Sequence, residues 1–238
     1  MVERERPGSD VDEVLEDGAI EIRPASTNNE VKILAAAESV FAKYGFRGAT
    51  TALIAAKAGV TKPNIYYYFR NKEALYRKLL QTILLVWADS LRVIEAEKSP
   101  EECFRLYLQR KMEFSRSKPQ LSRIFANEVI SGAPYIRDQI NRATRPLLEQ
   151  KAAVIQGWID EGKVVPVEPV YLIFMMWAST QAYADFGAQM QILLGKRQLD
   201  EADFSAALET ITKVVLGGVL IGRAAPASGK SGHKPKAK

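Results

Sequence analysis

The single histidine, His233, stands in the C-terminal run SGKSGHKPKAK, and the single cysteine is Cys103. A Ser-His-Asp or Cys-His nucleophilic arrangement and a His/Cys zinc cluster each need residues that the rest of the chain does not contain. No Walker loop is present and no GxGxxG follows a strand pattern, so phosphate and dinucleotide sites lack support. Carboxylates remain, Glu128 and Asp185 among them, yet no sequence spacing pairs those two. The residue types favour recognition over catalysis. Thr61-Lys62-Pro63-Asn64-Ile65-Tyr66-Tyr67-Tyr68 gathers hydrogen-bonding side chains into about two helical turns. A lysine can donate to guanine O6 and N7, an asparagine can pair with adenine N6 and N7, and tyrosine hydroxyls suit phosphate oxygens.

Such side chains need a short rigid element to carry them. The segment from Thr51 to Tyr66 meets the requirements of a helix-turn-helix. Ala55 is small where two helices cross, Gly59 can take the positive φ of a tight turn, and Ile54, Val60 and Ile65 bury the hinge. Thr50 or Thr51 caps a helix that reaches Ala58. Thr61 caps a third helix from Lys62 to about Tyr68, with Pro63 in its first turn, where a missing N–H is harmless. Helical spacing then turns Tyr67 toward the core, away from the polar set.

The same periodicity extends almost everywhere. A first helix runs from Asn29, with Ile33, Leu34, Ala37, Phe41 and Tyr44 on one stripe, to a stop at Gly45. A long helix starts at Lys72 with Leu75, Leu79, Ile83, Val86, Leu91 and Ile94 in line, and breaks at Ser99-Pro100. Breaks at Lys118-Pro119, Gly132-Ala133-Pro134, Gly162, Pro166 to Pro169 and Gly195 divide the rest into about five more. No stretch alternates with a period of two, so the expected fold is all-α with about nine helices.

Charge is spread unevenly along the 238 residues, which carry 33 Lys and Arg against 28 Asp and Glu. Residues 1–30 hold three arginines against nine acids, whereas residues 31–80 hold nine basic side chains against Glu38 and Glu73. Residues 81–221 nearly cancel, and the remainder adds Arg223 and four lysines. A small cationic segment on a neutral body is the electrostatic footprint of a polyanion binder. The expected organisation is a disordered acidic tail (1–28), a helix-turn-helix DNA-binding domain (29–75), a ligand-binding and dimerisation domain (76–222) and a disordered basic tail (223–238). The longest apolar run, Val170 to Ala178, falls short of the roughly 20 residues of a bilayer span. With no secretory signal at the N-terminus and a lone cysteine, the expected compartment is the cytoplasm, with no membrane partner. A single recognition helix reads too few base pairs for genomic specificity, so a homodimer on a near-palindromic site is required. Residues 170–190 and 203–221 are apolar nearly all round and suit that interface, or burial within one subunit.

The stretch from about Val31 to Leu80, with FAKYGFRGAT followed by TALIAAKAGVTKPNIYYYFRNKEALY, resembles the TetR-type transcriptional regulators, its YYYF-x-NKEALY run being the most specific part. Further on, PQLSRIFANEVISGAP, IQGWIDEGKV and YLIFMMWASTQAYADF resemble one branch, the pyrimidine-utilisation regulators of the Rut type. That branch carries a histidine where this chain has Ala182, which leaves the effector's identity open. The resemblance implies an N-terminal three-helix DNA-binding domain joined by a long helix to a helical ligand-binding and dimerisation domain. Thr50, Thr51 and Lys72 match phosphate-contacting positions, while Thr61, Lys62, Pro63, Asn64, Tyr66 and Tyr68 match the recognition-helix set. Of these, Lys62 and Asn64 suit base reading and Tyr66, Tyr68 and Lys72 backbone contact. Arg47 is either a loop contact or a solvated side chain.

The resemblance further implies no cofactor, a duplex operator as partner and a small-molecule effector in the body between Leu75 and Phe186. Uracil or a related pyrimidine calls for an aromatic stack with amide or carboxyl partners. The candidates are Trp87, Phe125, Asn127, Glu128, Trp177, Thr180, Gln181, Tyr183 and Asp185, with Gln181 suited to a bidentate amide contact. Two other functions compete: a repressor responding to an apolar drug-like or fatty acyl effector, and an all-α enzyme using Glu128 and Asp185.

Overall fold

The structure, a computed structural model, describes residues 28–222. Both tails expected to be disordered lie outside these residues, apart from Asn28. Among them every named element is a helix: α1 Asn28–Gly48, α2 Thr51–Ala58, α3 Lys62–Tyr68, α4 Lys72–Arg92, α5 Pro100–Ser117, α6 Pro119–Ile130, α7 Arg137–Gln139, α8 Arg145–Asp160, α9 Pro169–Asp185, α10 Gly187–Leu194 and α11 Glu201–Val219. The only extended pairing among them is an isolated antiparallel bridge, Val164 with Leu220. More segments appear than the nine expected because a π-helical turn, Ile140–Thr144, separates α7 from α8, and the chain breaks again between α9 and α10.

The boundaries follow local chemistry. The Thr50 hydroxyl accepts from Leu53 N at 3.2 Å, Asn71 Oδ1 from Ala74 N at 2.8 Å and Ser99 Oγ from Glu102 N at 3.2 Å, so α2, α4 and α5 each begin on a side-chain cap. A reciprocal capping box between Asp200 and Asp203 starts α11. Gly59 closes α2 in the left-handed region at φ 67°. Gly45 has φ 65° and breaks the helical path where a stop was expected, but the chain resumes helical geometry and runs on to Gly48. The long helix ends at Arg92, before the expected Ser99-Pro100, with Val93 and Ile94 buried in the following turn.

Two apolar cores result. One joins Ile33, Phe41, Ile54 and Ile65 of α1 to α3 with Leu75 to Trp87 of α4 and Leu121, Ile124 and Phe125 of α6. The other joins the end of α4 with α5, α8, α9 and α11 around Phe104, Trp158, Met176 and Leu216. The first core crosses residue 75 without a break, so the N-terminal unit rests on α4 and α6 by direct packing.

Candidate functional site

On the N-terminal unit, Thr61, Lys62, Pro63 and Tyr66 are exposed and Asn64 is half-buried. The Thr61 hydroxyl makes no capping bond although it occupies the cap position of α3. Thr51 Oγ1 lies 3.2 Å from the Tyr66 hydroxyl, which brings the start of α2 and the middle of α3 onto one surface. Thr50 is exposed beside them, its oxygen engaged by Leu53 N. Arg47 is exposed at the end of α1.

Two expectations need correction. Tyr67 is not core: it is 70% exposed, while Tyr68 is half-buried against the first core. A helix of seven residues that packs through Ile65 and Phe69 leaves Tyr67 almost opposite the buried side and turns Tyr68 inward. Lys72 points inward as well. Its Nζ donates to Phe46 O at 2.7 Å and Ala49 O at 2.9 Å and stands 4.4 Å over the Phe46 ring, fastening the loop between α1 and α2. Those carbonyls occupy two of its three donors.

The expected effector residues divide into two groups. A cavity of about 400 Å³ between α6 and α9 is lined by Phe125, Asn127, Trp177, Gln181 and Asp185, together with Arg123 and Ile130. Trp87 stands behind this wall, with its ring 4.1 Å from Phe125 and 4.7 Å from Trp177, both edge-on. Along α9 the polar groups form a chain: Trp177 Nε1 donates to Gln181 Oε1, Gln181 Nε2 donates to Asp185 Oδ2 at 2.7 Å, and Ser122 Oγ donates to Asp185 Oδ1 at 2.6 Å. Both ends of the Gln181 amide are therefore engaged already. Glu128, Thr180 and Tyr183 lie elsewhere. The buried Glu128 accepts from Tyr76 hydroxyl at 3.3 Å and from Tyr135 N at 2.6 Å; burial, then the Glu128 charge, raises the Tyr76 pKa. The Thr180 hydroxyl turns back onto Met176 O and Trp177 O, and Tyr183 packs 6.2 Å from Phe204 of α11. Glu128 and Asp185 thus sit in separate networks, which removes the geometric basis for a paired-carboxylate enzyme.

One group at this site was absent from the expectations. Lys111 of α5 is 3% exposed, with its Nζ 4.2 Å over the Trp87 ring and 5.5 Å over the Trp177 ring. Burial pushes its pKa down to about 7, and the Asp185 charge opposes that shift. A cation over the Trp87 ring, with Trp177 further off, keeps part of its electrostatic stabilisation without water.

Comparison with known proteins agrees with this geometry. A model of bacterial regulatory proteins of the tetR family matches residues 33–79, and one of the YcdC-like protein C-terminal region matches residues 80–222. The chain belongs to the TetR family of transcriptional regulators. It is 40% identical over 187 residues to the HTH-type transcriptional regulator RutR of Escherichia coli, covering 79% of this chain and 88% of that protein. A TetR-family regulator from Pseudomonas syringae matches in structure with a TM-score of 0.56 and 25% identity, over 82% of this chain and 100% of that one. A ketosteroid transcriptional regulator of Mycobacterium tuberculosis matches with a TM-score of 0.64 over 84% and 99%; at 17% identity this likeness concerns the fold alone. Members of the TetR family bind DNA operators and small-molecule effectors and act as dimers. In this TetR-family chain α4 spans both regions: Lys72 lies under the α1–α2 loop and Trp87 behind the cavity, about 22 Å further along at about 1.5 Å per residue.

Proposed function

We propose that this regulator is a cytoplasmic homodimeric repressor whose recognition helix is α3 and whose operator affinity falls when a pyrimidine such as uracil occupies the α6–α9 cavity. The Thr51–Tyr66 contact carries the DNA reading, because it sets a hydroxyl pair beside the exposed Lys62 on the most cationic part of the chain. Lys62 and Asn64 read base edges. Thr50, Thr51, Thr61, Pro63, Tyr66 and the half-buried edge of Tyr68 meet the backbone, and the outward Tyr67 joins them. Lys72 contributes by shaping the loop that presents α2. Tyr171, Phe174 and Met175 of α9 and Val214 of α11 are all at least 40% exposed, an apolar surface suited to a second copy.

The effector reading rests on the Rut-type segments and on a cavity that combines the aromatic faces of Phe125 and Trp177 with Asn127, Gln181 and Asp185. Such a lining favours a flat polar ring over a fatty acyl chain. Fluorescence anisotropy on genomic fragments selected by the purified protein tests both parts. Lys62→Ala and Asn64→Ala are expected to relax base preference by about 1–3 kcal/mol at the position each reads. Uracil is expected to release the bound fragment where a fatty acyl compound does not. Unchanged site selection by both variants refutes the recognition assignment, and release by the acyl compound alone refutes the pyrimidine.

A further inference from the structure

Ion pairing is distributed unequally along the chain. Arg105, Arg110, Arg116, Arg145, Lys163 and Lys196 of the helical body each meet a carboxylate within 3.0 Å. In α1 to α3 and the turn after them, Lys32, Lys43, Arg47, Lys57, Lys62 and Arg70 are all exposed, and among the described residues no ion pair ends on any of them. The three acids of residues 28–80 are otherwise engaged. Glu30 sits in the first turn of α1, where the helix dipole favours it, Glu38 is half-buried, and Glu73 holds Arg77 at 2.8 Å. The cationic face therefore has no counter-charge of its own. Directly before it in the chain, residues 1–27 hold eight acids, from Glu3 to Glu21, against Arg4, Arg6 and Arg23. Five of those acids fall between Asp10 and Asp17, interleaved with Val11, Val14 and Leu15. The face of α3 offers the complement to both kinds of side chain, since Lys62 is exposed beside Tyr66 and Tyr67, which are 50% and 70% exposed.

We propose that the acidic run of residues 10–17 docks on the cationic face of α2 and α3, over Lys57 and Lys62, and has to leave before a duplex can bind. This rests on the reading that α3 faces DNA. Reach is no obstacle: a segment of 27 residues extends to about 90 Å, whereas α1, to which it is joined, is about 31 Å long. A tether of this kind supplies an effective concentration on the order of millimolar, so exposed ion pairs of about 0.2–1 kcal/mol each suffice when several act together. Val11, Val14 and Leu15 against the tyrosine rings give the contact an apolar part that bare repulsion of DNA lacks. Because DNA displaces a polyanion already in place, it releases fewer small counterions. The intact chain thus binds any duplex more weakly, and with a flatter salt dependence, than one without the acidic charge.

Carbodiimide coupling of carboxylates to lysine amines on the full chain, read by mass spectrometry, tests the docking without DNA. Cross-links from residues 10–17 to Lys57 or Lys62 are expected, and they should disappear on addition of a duplex or in about 1 M salt, where screening acts within about 3 Å. Cross-links confined to Lys230, Lys234, Lys236 and Lys238 would pair the two ends of the chain instead and overturn the proposal, as would none at all or cross-links that DNA leaves unchanged. A full-length variant with all eight carboxylates of residues 1–27 converted to amides, Glu→Gln and Asp→Asn, is the second probe. It is expected to bind a random duplex at least fivefold more tightly than the unaltered chain at low salt, with a steeper salt slope and a gap that closes at high salt. Equal affinities overturn the docking while leaving α3 as the DNA-facing helix. Tighter binding by the amide variant without the Lys57 or Lys62 cross-links means repulsion alone and overturns it too. Failure of both proteins to bind any duplex, with those cross-links present, overturns the reading of α3 and leaves the contact itself standing.

Discussion

Lys111 shows what a single residue can conceal. Within α5 it falls on the stripe of Phe104, Leu108 and Ser115, all buried, so its phase was present in the spacing. Its charge argued the other way, because lysines seldom lie fully inside a fold. The cost of that burial has a definite sign with pH. The folded side chain titrates near 7 against an ordinary 10.5. Below about pH 7 the lysine is protonated in folded and unfolded chains alike and the penalty is present in full. As pH rises from about 7 toward 10.5 the folded form loses its proton first and the penalty fades. Lys111→Met is therefore expected to raise stability by about 2–5 kcal/mol at pH 6, with a margin that shrinks by pH 10. Urea unfolding at the two pH values checks this, and a margin that grows with pH contradicts it. Lys72 carries the opposite lesson, since its position at the start of α4 was legible but its direction was not. Lys72→Met removes two charge-assisted bonds to Phe46 O and Ala49 O and is expected to cost about 1–3 kcal/mol. The salt dependence of DNA binding should stay nearly unchanged, and a slope reduced by about one would return Lys72 to the phosphate.

At the level of elements, the capped ends could be read, whereas the C-terminal ends of α1 and α4 could not. Thr50, Ser99 and Gly59 are capping types standing beside periodic runs, and each terminates a helix as its chemistry requires. The phase of α3 was legible from Ile65: a side chain two positions on lies about 200° round the helix and one three positions on about 60° away, so Tyr67 had to face outward and Tyr68 inward. Packing through Phe69 follows the same phase. The polar residues of α9 were legible as a set but not as individuals, since whether a side chain faces the cavity or its own backbone depends on neighbours far away in sequence. Thr180 and Tyr183 were lost for that reason. Gly45 offers a direct test at this scale. Its φ of 65° is a conformation that only glycine adopts freely, and a methyl group there would meet nothing within 4 Å. Gly45→Ala is expected to lower stability by about 1–2 kcal/mol through the backbone alone, measurable by thermal melting. A neutral result would mean that the bend relaxes without loss.

The molecule as a whole joins its two tasks through a shared core. Because α1 packs directly on α4 and α6 and carries α2, on which α3 rests, a shift of the cavity wall reaches the reading unit through α1, and an effector acts through its differing affinity for the two arrangements. The surface of α9 and α11 makes a further demand. Met175→Asp and Val214→Asp together place charges on side chains 48% and 67% exposed, and they are expected to yield a folded monomer with operator affinity reduced at least tenfold. Sedimentation and anisotropy check the pair, and a dimer that survives moves the interface elsewhere. The chamber around Lys111 also bears on how such a protein responds to selection. A library sorted for heat resistance rewards any exchange that discards an awkward interior cation. The survivors would be sturdier proteins in which the Trp87 indole has lost the ammonium above its ring.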